Sequence, residues 1–414
     1  VRRRGRGARE ATAMIPVKIK DDVYSLRAND WDRKLFDELV PLPDGTSYNS
    51  YLVKGGEKTA LIDTVYPPKT AAFIAALKAT GVETIDYVVA NHAELDHAGS
   101  IPAVLELFPK AKVVANARCW RMMCDEMPLD RGAFLEAKDG RALSLGGKTL
   151  KFVFMPWVHW PETMGVFLEE DRIFFPCDFL GAHLAASELA VGDEAQFEVA
   201  AKRYYAEIMA PYRIQCRSAL KRVEELEPEI IAPSHGPVHF RPSVITDLYR
   251  RWTSDEVKPE VLIVYVSMYN STAAMVERLT DRLMERGLPV RLINAVGLDS
   301  GVLSMALVDA STVVFASPTV LAGPHPSLAY AAILVNALAP KTRFAAMIGS
   351  YGWGTTMPDL LKEMLREFKA EFFEPVLTKG APNAETFAAL DALAESIAAA
   401  NASLATSAGP APVA

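Results

Sequence analysis

The chain has 414 residues, nearly three times an average domain of about 150 residues, which excludes a single small binding module. Half of it is hydrophobic (50%), and 44 basic residues face 51 acidic ones for a net charge of -7, a balance that suits a globular protein and gives no general electrostatic reason to expect nucleic acid. No apolar run approaches the roughly 18 to 20 residues that cross a membrane, and no secretory signal pattern is present. The four cysteines, Cys119, Cys124, Cys177 and Cys216, include no CxxC pair and read as reduced, cytoplasmic thiols.

Residues 1–14 are basic and unpatterned and are expected to be a disordered extension, with Met14 the more natural start. From Val23 to Pro156, short apolar segments alternate with polar turns. SYLV, TALIDT, DYVVAN, KVVANA and LKFVFMP read as strands, and AAFIAALKAT and IPAVLELF as helices. GVFLEE and RIFFPCD read as a hairpin, followed by a helical stretch from Glu198 to Met209 and a strand-like EIIAP. This mixture predicts an α+β domain over 15–255, with two sheets packed face to face between helices. A second unit is expected over 256–400, the boundary falling at residues 252–260. VLIVYV is a nearly all-apolar run, as a strand buried on both faces should be, and AAMVERLTDRLMERG has helix spacing and a closing glycine. VRLIN, STVVFAS, AAILVNALAP, FAAMIGS and LKEMLREF continue an α/β doubly wound pattern with a parallel sheet. Residues 401–414 are low in complexity and are expected to form a disordered tail.

The richest segment is NHAELDHAGS, which places His92, Glu94, Asp96 and His97 in one short loop after a strand. A single such residue is ordinarily part of a solvated loop; four potential ligands this close are not. His159 in PWVHWPE, Asp178 after RIFFPC and His235 in APSHGP also stand at strand-to-loop junctions. His183, His239 and His325 lack that context. Four histidines and three carboxylates suggest two metals, because two ions can divide six terminal ligands if the seventh bridges them. Asp178 is the best bridge, having two oxygens on a short stem.

HAELDHAGS resembles the metal motif of the metallo-beta-lactamase superfamily, whose hydrolases usually carry histidine where this chain has Glu94. Glutamate there, with HWP, the aspartate after FFPC, and SHGP, resembles the flavodiiron proteins, also called A-type flavoproteins. The resemblance implies a four-layer αββα metallo-beta-lactamase-like domain followed by a flavodoxin-like domain. It implies one iron on His92, Glu94 and His159, a second on Asp96, His97 and His235, and Asp178 bridging a mu-oxo/hydroxo diiron centre, with no separate side-chain nucleophile. An anionic oxygen donor at Glu94 suits the higher oxidation states of iron.

In the second unit, the turn Ser267, Met268, Tyr269, Asn270, Ser271 and Thr272 offers hydroxyls and helix-start N–H groups, a phosphate nest without lysine. Ser317, Pro318 and Thr319, with Val320, Leu321 and Gly323 after them, and Ser350, Tyr351, Gly352, Trp353 and Gly354 close two further strands, so three loops can converge at one sheet end. They resemble the FMN loops of the flavodoxin half of flavodiiron proteins. The chain departs from that family at Val320–Leu321, where an aromatic residue or histidine followed by asparagine is frequent. Trp353 either covers the flavin or packs in a core or dimer contact, and Tyr204 and Tyr205 either bring a phenol to the metal pocket or only pack.

Together these features lead to the expectation of a flavodiiron oxidoreductase reducing O2 to water, with reduction of two NO to N2O as the alternative and a dizinc hydrolase fused to a flavodoxin-like domain a distant third. The resemblance also implies a head-to-tail homodimer or a dimer of such dimers. Widely separated cysteines leave no rubredoxin-type iron site, so an external donor is expected, rubredoxin or alternatively a reduced deazaflavin.

Overall fold

The computed structural model describes residues 14–407. The expected extension before Met14 and the residues from 408 onward lie outside that range. The chain divides into two compact units, one comprising the chain up to Tyr204 and Tyr212–Arg250, the other Tyr205–Pro211 and everything from Arg251. Among the described residues, no helix is long and apolar enough to cross a membrane.

In the first unit, β1 (Val17–Lys20) and β2 (Val23–Asp30) precede a two-stranded ribbon of β3 (Leu35–Phe36) and β4 (Val40–Pro41). They are followed by β5 (Thr46–Lys54), β6 (Thr59–Ile62), β7 (Tyr87–Val89), β8 (Lys112–Ala115) and β9 (Phe134–Glu136). Seven of these strands form one sheet in the order β1-β2-β5-β6-β7-β8-β9, antiparallel from β1 to β6 and parallel beyond. Parallel neighbours need crossovers, and the helices Thr70–Ala79, Ile101–Leu107 and Ala117–Glu126 supply them. The second sheet runs β10 (Ala142–Ser144), β11 (Thr149–Phe154), β12 (Met164–Leu168), β13 (Ile173–Phe175) and β14 (Ile230–Ile231). Within it β12 and β13 form the expected hairpin, Val166 opposite Phe175 and Leu168 opposite Ile173.

One apolar cluster joins the sheets: Tyr51, Val53, Ile62, Val89 and Val114 of the first meet Leu150, Phe152, Val166, Leu168 and Phe175 of the second. Each large apolar side chain buried there contributes roughly 1.5–3 kcal/mol relative to exposure. Eight successive residues of β5, Thr46 to Val53, are buried, as a strand covered on both faces must be. Helices bury their apolar stripes outside the sheets, completing the expected αββα arrangement; Phe73, Ala76 and Leu77 serve on one helix, and Ala219, Leu220 and Val223 on Arg213–Leu226. The helical stretch near Glu198 is a helix over Glu194–Tyr204 that widens into a π turn over Tyr205–Met209.

The second unit contains β15 (Lys258–Tyr265), β16 (Val290–Asn294), β17 (Ala310–Val320), β18 (Gly323–Pro324), β19 (Phe344–Tyr351), β20 (Glu371–Phe372) and β21 (Val376–Lys379). The sheet order is β16-β15-β17-β19, with β20 and β21 both pairing β19; these pairs are all parallel, and the short β18 pairs β17 antiparallel. Alternation along the central strands feeds two cores. Leu262, Val264, Val313, Phe315, Ala345 and Met347 pack against Leu303, Leu328, Val335 and Leu361, whereas Val261, Ile263, Val314, Ala316, Ala346 and Ile348 pack against Met275, Leu279, Leu390 and Ile397. This is the doubly wound arrangement the apolar runs predict.

One expectation is corrected. The closing helix spans Ala384–Ser407, so residues 401–407 are helical rather than the start of a disordered tail. Asn401 explains it: 2% exposed, it donates to Thr312 Oγ1 at 3.0 Å and to Ile397 O at 2.9 Å, and accepts from Ser311 Oγ. Low complexity misled because the segment continues the alanine-rich helix Ala384–Ser407, and alanine is the best helix former.

Candidate functional site

The first unit gathers its chemistry at strand ends. β7 ends at Val89, and the loop after it carries His92 and Glu94 before a single helical turn, Leu95–Ala98, presents Asp96 and His97. Asp63, just past β6, fixes the loop's start: Oδ1 accepts from Asn91 N at 2.8 Å, and Oδ2 from Asn91 Nδ2 at 3.0 Å and Ser234 Oγ at 3.2 Å. The loop's exit is equally tight. A Cβ on Gly99 would meet Leu95 O and lie 2.6 Å from Pro67 Cγ, so only glycine fits. On the other side, β5 clamps the His235 loop. Asn49 Nδ2 donates to Pro233 O and Gly236 O at 2.8 Å, Tyr51 Oη donates to Pro233 O at 2.6 Å, and Ser47 Oγ accepts from Gly236 N at 2.8 Å.

All seven residues singled out in the sequence as metal donors come together, in two adjacent groups. His92, Glu94, His159 and Asp178 form one and Asp96, His97 and His235 the other, the donor atoms of each lying within 4.8 Å of one another. Asp178 faces both. Its Oδ2 is 3.7 Å from His92 Nε2 and from His159 Nε2, and its Oδ1 is 3.0 Å from His97 Nε2 and 3.2 Å from His235 Nε2. Glu94 Oε2 lies 3.0 Å from His92 Nε2 and 3.4 Å from His159 Nε2; the two Asp96 oxygens lie 3.2 Å from His97 and His235 Nε2. Yet both Asp96 oxygens and His97 Nε2 are buried without a hydrogen bond. Buried ionisable atoms that approach without being aligned on one another are aimed at points between them, as a metal pair requires.

Charges follow the same pattern. Burial opposes the Asp178 carboxylate, but the His97 and His235 imidazoles hold it well below the usual carboxylate range. Burial likewise works against Glu94, which His159 and His92 hold low. Against burial, Asp178 and Asp96 push His235 up to about 10.

Three residues of this site were not assigned from sequence. His183, which lacks a strand-end context in the sequence, is buried with its ring 5.0 Å from that of His235 and 4.8 Å from that of Tyr204; its Nδ1 lies 2.9 Å from Thr46 Oγ1, and burial, reinforced by His235, holds it neutral, well below its ordinary pKa. Tyr204 Oη donates to Asp178 Oδ1 at 3.1 Å, whereas Tyr205 Oη donates to Trp252 O at 3.1 Å, so only the first phenol reaches the pocket. Glu162 lies 2.7 Å from His92 Nδ1; a carboxylate three residues after His159 was its only sequence signal. His239 is buried, its Nε2 3.1 Å from Leu180 O, and His325 caps the helix Pro326–Leu338.

In the second unit, the three expected segments lie at the ends of β15, β17 and β19, adjacent parallel strands, and so share one sheet end; Ser317–Val320 and Ser350–Tyr351 are still within β17 and β19. Asn270 takes a left-handed φ of 66° ahead of the helix Ser271–Met284, and Ser267 Oγ accepts from Ala273 N at 3.1 Å. Thr272 Oγ1 and Ser350 Oγ are 3.1 Å apart, and Ser317 Oγ accepts from His325 N at 2.9 Å. Val320 pairs with Gly323 in a short hairpin whose tip, Leu321 and Ala322, has φ of 49° and 67°. Tyr269, Leu321 and Trp353 are 87%, 99% and 95% exposed, which removes core packing from the readings of Trp353.

A metallo-beta-lactamase-like unit with a dinuclear donor set, followed by a flavodoxin-like unit, defines the class. A family model described as ODP family beta lactamase matches residues 46–236. The nitric oxide reductase of Moorella thermoacetica is 33% identical over 86% of this chain and 91% of its own, and the rubredoxin-oxygen oxidoreductase of Megalodesulfovibrio gigas is 30% identical over 93% and 98%. The crystal structure of the flavodiiron protein from Giardia intestinalis superposes with a TM-score of 0.89 at 26% identity, covering 96% of this chain and 100% of that one. The chain belongs to the flavodiiron family, the type A flavoproteins.

Proposed function

We propose that the chain is a flavodiiron oxidoreductase that reduces O2 to water with electrons from an external donor, rubredoxin or alternatively a reduced deazaflavin. Its metal ligands are His92, Glu94 and His159 on one iron, Asp96, His97 and His235 on the other, and Asp178 between them. FMN binds to the loops Ser267–Thr272, Ser317–Gly323 and Ser350–Gly354. The observation that carries this reading is the division of the two Asp178 oxygens between two histidine pairs. Four cysteines outside any disulfide suit the cytoplasm.

Two ferrous ions and reduced FMN, if held there, would supply the four electrons that with four protons take O2 to two waters; two electrons and two protons would suffice to take two NO to N2O and water. The protein's own part is placement. Asp178 stays anionic and so keeps both oxygens available, Tyr204 donates to one of them, and His183, neutral and packed against His235, keeps that side of the pocket from adding a positive charge. The anionic Glu94 matches an iron that must carry higher charge.

Iron and FMN analysis, followed by anaerobic reduction and matched O2 and NO consumption with product analysis, tests the proposal. About two irons and one FMN per chain, with O2 taken to water at the larger kcat/KM, are expected. N2O formation at the larger kcat/KM, with O2 mainly inactivating the protein, reverses the substrate choice. Two zinc ions and turnover without reductant refute the flavodiiron reading.

A further inference from the structure

Beyond the seven donors, one carboxylate reaches the site from behind. Glu162 is 3% exposed; its Oε1 lies 2.7 Å from His92 Nδ1 and accepts from Ala93 N at 3.1 Å. Its backbone is held too, because Asn116 Nδ2 donates to Glu162 O at 2.5 Å while Asn116 Oδ1 caps the helix Ala117–Glu126 through Arg118 N and Cys119 N. A carboxylate on Nδ1 makes that nitrogen the donor and leaves the Nε2 lone pair for the pocket. The His92 Nε2 atom indeed faces Glu94 and Asp178.

The other metal position has no such support. His235 Nδ1 meets only the neutral Ser47 O, at 2.7 Å, and His97 Nδ1 is buried without a hydrogen-bond partner among the described residues. An imidazole donating to a carboxylate is a more basic ligand than one donating to a carbonyl. We propose that Glu162 is a positioning residue that orients His92 and makes the position built from His92, Glu94 and His159 the more electron-rich of the two. The inference rests on the dinuclear reading of the site and adds an inequality between its halves.

Orientation and charge are separable. Glu162 Oε2 is buried with no hydrogen-bond partner, and Glu162 lines a surface pocket of about 430 Å³ with Asn116 and Thr163. In E162Q the carboxamide oxygen can keep His92 and Ala93 while the NH2 group takes the place of Oε2, so orientation survives and charge is lost. E162A loses both.

The test is anaerobic cobalt(II) titration of the metal-stripped, FMN-containing full chain, then Mössbauer spectroscopy of the iron-loaded protein. The wild type should take up two cobalt ions. E162A should bind one of them roughly 10–100-fold more weakly with FMN content unchanged, and E162Q should bind both tightly. Iron-loaded E162Q should show one of two iron signals displaced and the other at its wild-type position. Wild-type affinity in E162A, or loss in E162Q as large as in E162A, overturns the orienting role; an unshifted E162Q spectrum overturns the inequality, and E162Q remains informative if E162A does not fold. Fewer than two ions on the wild type refutes the dinuclear reading itself, and the proposal with it.

Discussion

Asp178 is the residue on which the two halves of the site depend. Charge and geometry both suit it to the bridge proposed above: it is 1% exposed, it stays anionic despite burial because His97 and His235 stand beside it, and each oxygen faces a different histidine pair. Replacing it with asparagine keeps the size and removes one anionic oxygen. An amide nitrogen cannot serve as a metal donor in place of an oxygen. The Asp178→Asn variant should therefore hold one of its two metals weakly and show altered magnetic coupling in whatever diiron fraction remains. Metal analysis and Mössbauer spectra read these separately, and two fully occupied, normally coupled irons would remove Asp178 from the bridge.

At the scale of the element, the proposed flavin loops depend on what the strand ends hold in place. Thr272, 1% exposed, sits at the start of the helix Ser271–Met284 with its hydroxyl 3.1 Å from that of Ser350 near the end of β19. Thr272→Leu removes that hydroxyl, leaves Ser350 without it and crowds the helix start. A lost buried hydrogen bond costs about 1–3 kcal/mol, so FMN affinity should fall roughly tenfold or more while the first unit retains its iron. Equilibrium FMN titration checks this, and unchanged affinity in a folded variant would mean that this loop is not the phosphate nest. The elements themselves were legible where their pattern was strong. VLIVYV and STVVFAS are apolar at both periods because both strand faces are buried, and HAELDHAGS announced a site because four donors crowd one loop. What was not legible needed three dimensions. Nothing local shows that Glu162 serves His92 seventy residues earlier, that His183 packs on His235, or that successive tyrosines diverge where the helix Glu194–Tyr204 gives way to a π turn. The helical 401–407 segment was missed because its buried anchor, Asn401, is polar.

For the whole molecule, the exposed aromatic and aliphatic tips of the second unit pose the remaining question. Tyr269, Leu321 and Trp353 are almost fully open to solvent in the single chain, and large apolar side chains gathered on the loops of one sheet end ordinarily have something to cover them. A bound flavin would cover part; the head-to-tail homodimer that the family resemblance implies would cover the rest, by laying the flavin loops of one copy against the metal-bearing unit of another. This also meets an electronic need, since an external donor delivers to the flavin and the flavin must pass electrons on to the irons. Solution mass should therefore be twice that of the 45.3 kDa chain, or four times if the dimers pair. Dilution below the dissociation constant should lower O2 turnover per chain while iron and FMN contents stay constant, because in that arrangement each cofactor is held within one copy and electrons pass from one copy to the other. Trp353→Asp, which places a charge among the exposed tips, should shift that loss to higher protein concentration. A monomer whose turnover per chain is undiminished, with both cofactors bound, would show that the circuit closes within one chain and would remove the dimer from the mechanism.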